Sequence, residues 1–114
     1  MLRKINPLKL NKLQLRTLAI AQLLASSSDN SYRDKLNGDA TILYLPTLHG
    51  DHVHIGGNVI KSGDISGFTN PSVWKALERK GLARNDLVDV ALTDSGLSYN
   101  TGVKGLSNLS ADRK

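Results

Sequence analysis

A chain of 114 residues with a formal net charge of +5 and a pI near 9.7 is one ordinary domain with a basic surface. It contains no cysteine, which excludes disulfides, thiolate catalysis and cysteine-ligated zinc. Hydrophobic residues make up 39% of it but aromatics only 4%, so Leu, Ile, Val and Ala must fill the core, with Trp74 as an anchor.

The start, M-L-R-K-I-N-P-L-K-L-N-K, is broken by charge and a proline where the apolar run of a secretion signal would lie. A cytoplasmic setting is therefore expected. Arg3, Lys4, Lys9, Lys12 and Arg16 all precede the first acidic residue, Asp29. Residues 1–10 read as a basic arm, a feature suited to phosphates because lysine and arginine displace condensed counterions. The alternative is an ordinary solvated surface.

Residues 11–25, N-K-L-Q-L-R-T-L-A-I-A-Q-L-L-A, predict a helix. Asn11 and Gln14 have the spacing of a capping box, and Leu10 with Leu15 that of a hydrophobic staple. The apolar residues occupy two sides: Leu13, Ile20 and Leu24 form one stripe, and Leu15, Leu18, Ala19 and Ala25 spread around the other. Such a helix needs cover on both sides, from the hairpin that follows or from a second copy. A homodimer through residues 11–25 is the expectation, since large exposed apolar patches are rare on monomers.

The serine-rich run Ala25 to Asn37 reads as a loop with a turn of helix at Tyr32 to Leu36, ending at Gly38. Thr41 to Leu45 is β-branched and aromatic and stops at Pro46, so it predicts a strand. His52 to Ile55 predicts its hairpin partner across Thr47 to Asp51. Gly56-Gly57 would break that second strand before it resumes at Asn58 to Ile60. The sequence has no internal repeat and no transmembrane span, so no membrane partner is expected.

The hairpin carries H-G-D-H-V-H. His52 and His54 are two apart on a strand, so both imidazoles share a face, and Asp51 and His49 are near enough in sequence to add ligands. A small metal-dependent protein built on His49, Asp51, His52 and His54 is thus one reading. No glutamate follows within reach and no other motif places a general acid or base, so the plain hairpin is preferred. Neither a catalytic residue, a cofactor nor a bound metal is expected. G-G-N-V-I-K-S-G lacks the order of a phosphate-binding loop, because Lys61 does not follow a glycine directly.

The most explicit stretch is Phe68 to Leu97. Asn70 as N-cap and Pro71 at the first helical position start a helix, and Val73, Trp74 and Leu77 form its apolar face. Gly81 stops it in the left-handed conformation. Leu82 to Arg84 and Val88 to Leu92 predict two short strands around Asn85-Asp86, and Thr93 caps a short final helix through Tyr99 that contains Gly96. L-E-R-K-G-L, a short hairpin and L-T-D-S-G together resemble the recognition helix, wing and closing L-T-x-x-G of winged helix-turn-helix proteins, especially bacterial regulators of the MarR type. The recognition helix would start about a turn late, the wing would be short, and Lys61 to Phe68 would serve as a distorted helix before it.

The resemblance implies an α+β winged helix-turn-helix-like domain over residues 1–100, with an N-terminal helix, a small β-hairpin and a short wing; residues 101–114 would form a flexible tail. It also implies double-stranded DNA as partner and a role in transcription regulation. Asn70, Ser72, Lys75 and Arg79 would approach the major groove and Arg84 would meet phosphate, with Ser72 and Lys75 as the base readers. The rival is a winged-helix protein-interaction module that binds no nucleic acid.

Overall fold

Helix α1 (Lys12–Ala25) begins where its capping box predicts. The Gln14 amide donates to Asn11 Oδ1 at 2.8 Å and the Asn11 amide to Gln14 Oε1 at 3.0 Å, so two of the free N–H groups at the helix start find partners. The computed structural model describes residues 5–26, 31–42, 50–55, 58–85 and 90–103. In chain order, α1 is followed by β1 (Ser31–Arg33), β2 (Ala40–Ile42), β3 (His52–Ile55), β4 (Asn58–Lys61) and a 3₁₀ segment (Ser62–Thr69). Then come α2 (Pro71–Arg79), β5 (Ala83–Asn85), β6 (Val90–Leu92) and α3 (Asp94–Ser98). The architecture is mixed α+β, with one antiparallel sheet in the order β1-β2-β6-β5 and a separate hairpin, β3-β4.

Both sides of α1 are covered by its own chain. Leu18 and Ala21 join Val73, Trp74, Leu77, Leu82, Leu92 and Tyr99 in one cluster. Ala19, Ile20 and Leu24 join Ile42, Val53, Ile55, Ile60 and Ile65 in the other. Each fully buried Leu or Ile contributes about 1.5–3 kcal/mol, so docking α1 between these clusters dominates the fold's stability. Much of the surface that prompted the expectation of a homodimer through residues 11–25 is occupied within one chain, because the β3-β4 hairpin and the 3₁₀ segment pack on the helix's second side, while Leu13 stays exposed.

Helix α2 follows its sequence signals closely. Asn70 Oδ1 accepts from the Ser72 amide at 3.0 Å, Pro71 opens the helix, and Gly81 closes it with φ +76°. The Gly81 amide donates to Glu78 O and the Leu82 amide to Leu77 O, the paired bonds of a Schellman stop. Trp74 is buried, donates from Nε1 to Phe68 O at 2.9 Å, and meets the Phe68 ring edge-on at 5.2 Å.

The L-T-D-S-G run has a physical role here. Thr93 Oγ1 accepts from the Gly96 amide as the cap of α3 and donates to Gly81 O at 2.7 Å, binding the start of α3 to the stop of α2. A β-carbon at Gly96 would lie 2.0 Å from Leu82 O, so the glycine inside α3 is what lets the helix approach that backbone.

Strand pairing departs from the sequence reading. The strand expected at Thr41 to Leu45 is seen as β2, and it pairs with β1 on one side and β6 on the other, not with His52–Ile55. His52–Ile55 instead turns back on Asn58–Lys61, with His52 opposite Lys61 and Ile55 opposite Asn58. The two segments are thus antiparallel partners where an interrupted single strand was expected, and Gly56-Gly57 lies outside the described residues. Residues 43–49, which hold most of the expected hairpin loop and His49, lie outside the described residues. The expected loop from Ala25 contains β1, and Ser31–Arg33 is extended where a helical turn at Tyr32 was expected. In the wing, β5 includes Asn85, and residues 86–89, with Val88, lie outside the described residues.

The ends are also more engaged than expected. Tyr99 Oη donates to Asn6 Oδ1 at 2.7 Å and accepts from the Leu8 amide at 2.9 Å, while the Asn6 amide donates to Asn100 O. Residues 5–10 are thus fastened to the end of the domain instead of extending as an arm, and residues 1–4 lie outside the described residues. Thr101 is buried and Val103 packs on the second cluster, within the stretch expected to form a flexible tail from residue 101; residues 104–114 lie outside the described residues. Among the described residues no helix is long and apolar enough to cross a membrane.

Candidate nucleic-acid interface

Helix α2 divides cleanly. Val73, Trp74, Ala76 and Leu77 face the core, and Pro71, Ser72, Lys75, Glu78 and Arg79 are exposed. Spacings of three and four residues set Ser72, Lys75 and Arg79 in one row along the exposed side. The row offers a hydroxyl, an ammonium and a guanidinium, donors that suit phosphate oxygens and the acceptor edges of purines. Glu78 interrupts that basic character, one i+3 step from Lys75. Among the described residues Lys75 and Arg79 make no ion pair.

Asn70 is placed with these residues, but its acceptor oxygen already serves as the cap. Its amide nitrogen is the part left to a ligand. The helix is seated from behind by the 3₁₀ segment, which packs on α1. Gly67 carries that contact: a β-carbon there would lie 2.0 Å from Thr17 Oγ1 and 3.1 Å from Leu13 Cδ1.

Arg84 stands apart from the helix row. It lies in β5 opposite Ala91, which faces Thr41, which in turn faces Tyr32. That row is the outer face of the sheet, since the alternate row of Ala83, Leu92 and Ala40 is buried. Arg84 Nε donates to Asp39 Oδ2, pairing a half-exposed guanidinium with a buried carboxylate. Of the basic residues ahead of Asp29, Lys9 and Lys12 are exposed and Arg16 is half-buried; Arg3 and Lys4 lie outside the described residues.

No protein-family model, curated protein or solved structure matches this chain. The geometry of the chain itself is what the functional reading rests on.

The β3-β4 hairpin holds the other polar constellation. Val53 and Ile55 point inward, and His52 and His54 share the outer face. Their Nε2 atoms are 3.2 Å apart and the rings meet edge-on at 4.9 Å. His52 Nδ1 lies 3.1 Å from Asp51 Oδ1. The hydrogen bond from His52, then that of its own backbone, holds the Asp51 carboxyl below the usual carboxylate range. Among the described residues no three His, Cys, Asp or Glu side chains converge.

Sequence reasoning missed Asp39 and Gly67. Asp39 gives no local signal, because its partner is 45 residues away. Gly67 is visible in the sequence only as a glycine; the position of Thr17 across the helix interface gives its reason.

Proposed function

We propose that this protein is a small winged-helix DNA-binding protein that acts in transcription regulation, with α2 as the helix that enters the major groove. The observation that carries the reading is the exposed row Ser72, Lys75 and Arg79 on a helix whose opposite side is anchored by Trp74 and Leu77. A recognition helix needs both: donors outward and rigid attachment inward. Further support comes from the order of elements. A helical segment leads into α2, and an antiparallel strand pair, β5-β6, follows it directly in the position of a wing.

In this reading Ser72 and Lys75 approach base edges, because the N-terminal part of the helix goes deepest, and Arg79 meets phosphate. Asn70 would contribute only its Nδ2 donors. Arg84 would reach phosphate with the guanidinium donors that Asp39 leaves open. A protein-interaction module is the second reading, and it is favoured by Glu78 within the α2 face and by the mixed sheet face of Tyr32, Thr41 and Arg84.

The deciding experiment is binding of the whole chain to random and genomic duplex followed by fluorescence anisotropy across a salt series. DNA binding through phosphate contacts gives an affinity that falls steeply with salt. Absence of binding at low salt would discard the reading in favour of the interaction module.

A further inference from the structure

The outer face of the β3-β4 hairpin has a geometry that a plain strand surface does not require. Alternation along β3 sends His52 and His54 to the same side, and their ring nitrogens converge to 3.2 Å at Nε2. Two imidazole nitrogens bound to one tetrahedral zinc at about 2.0–2.1 Å each are separated by roughly 3.3 Å. The observed separation is that of a hydrogen bond between the two rings, and it is close to the one a chelate needs.

The second contact of His52 fits the same use. Asp51 is an acceptor when ionised, so the proton between the two residues belongs on His52 Nδ1. With that proton on Nδ1, Nε2 is the His52 nitrogen left to face His54 or a ligand. A carboxylate holding the far nitrogen of a ligating imidazole is the usual support of a histidine metal ligand. Position favours access: His54 and Asp51 are exposed and His52 is about a third exposed, while Val53 and Ile55 beneath them are buried. Lys61 lies opposite His52 across the ladder, and the Asp51 carboxylate offsets its charge.

We propose that His52 and His54 form a two-histidine chelate for a divalent cation of the imidazole-preferring class, zinc, nickel or copper(II), with Asp51 orienting His52 and water completing the coordination. The site is independent of the α2 surface, so DNA binding is not needed for it. Loading the metal moves the His54 proton from Nε2 to Nδ1 through solvent, breaking one N–H bond and forming another, so that each Nε2 can give its lone pair to the cation. The hairpin that carries the pair runs directly into the 3₁₀ segment, whose first amide, Ser62 N, donates to Asp51 O at 2.8 Å.

The test uses the full chain without a histidine tag. Zinc chloride is titrated in by calorimetry, and copper(II) is added in parallel for electron paramagnetic resonance. The expected results are a saturable zinc isotherm and a copper spectrum with hyperfine splitting from two imidazole nitrogens. His54→Ala, which removes one arm of the chelate, is expected to weaken zinc binding by about 100-fold. Asp51→Asn is expected to weaken it by about 10-fold by loosening His52. His54→Gln, which keeps the strand surface polar, guards against a folding artefact and should behave as His54→Ala. No saturable binding by the parent chain, or zinc affinity unchanged in both His54 variants, overturns the proposal.

Discussion

Gly67 lies so close to Thr17 that a β-carbon on the glycine would sit 2.0 Å from the threonine Oγ1. The contact joins the 3₁₀ segment to α1 at a point where Thr17 is wholly buried and its hydroxyl has no hydrogen-bond partner. The glycine makes room for the Thr17 and Leu13 side chains, which a β-carbon would displace. The 3₁₀ segment leads straight into α2, so this contact also sets where the exposed row of α2 stands relative to α1.

Gly67→Ala should therefore destabilise the fold by about 1–3 kcal/mol, the usual cost of overpacking. Thr17→Ala removes both the obstructing oxygen and an unsatisfied buried hydroxyl, so adding it to Gly67→Ala should recover part of the loss. Urea unfolding of the two single variants and the double variant measures the coupling. Strict additivity of the two changes would show that the contact does not set the packing.

Lys75 and Arg79 supply the test of the α2 surface. Replacing both by Ala should weaken duplex binding by a few kcal/mol and lower the salt slope by about one unit per lost phosphate contact. Both side chains are exposed, so urea midpoints should stay within about 0.5 kcal/mol of the parent. Loss of stability alongside affinity would mean that the face is structural.

Arg84 should behave differently, because its partner Asp39 is buried. Arg84→Ala leaves that carboxylate without its cation, at about 1–3 kcal/mol, a figure held down by solvent screening of the exposed guanidinium. Asp39→Ala in the same background should restore part of it. Thermal unfolding reads this directly. A neutral Arg84→Ala would show that the pair contributes nothing to the sheet.

With most of α1 covered by its own chain, a monomer is the expected state in solution. Sedimentation equilibrium at tens of micromolar should give the 12.3 kDa of one chain. Leu18 has no exposed surface, so Leu18→Glu should unfold the chain, at about 4–5 kcal/mol or more, instead of dissociating a dimer. A folded Leu18→Glu monomer derived from a parent dimer would restore pairing through residues 11–25.

The sequence by itself determined the features whose partners lie within a few residues. The capping box of Asn11 and Gln14, the Asn70-Pro71 start of α2, the Gly81 stop and the Thr93 cap are all closed by hydrogen bonds across four residues or fewer, or by one glycine's left-handed backbone. The two-sided apolar pattern of α1 likewise stated how much cover the helix needs. It did not state what supplies the cover.

Tertiary structure decided the strand partners. Thr41 could pair with any extended segment of suitable polarity, and it faces Ala91 rather than the nearer β3 because this pairing buries Ala40, Ile42 and Leu92 on the side of the sheet that packs on α1. His52–Ile55 and Asn58–Lys61 read in the sequence as one interrupted strand, and their antiparallel pairing appears only in the tertiary structure. Arg84 with Asp39, Tyr99 with Asn6, and Gly67 with Thr17 are separated by tens of residues, and their contact exists only once the core has closed. The reason is physical: caps and turns satisfy backbone groups locally, whereas pairing and close approach are selected by which faces can be buried together.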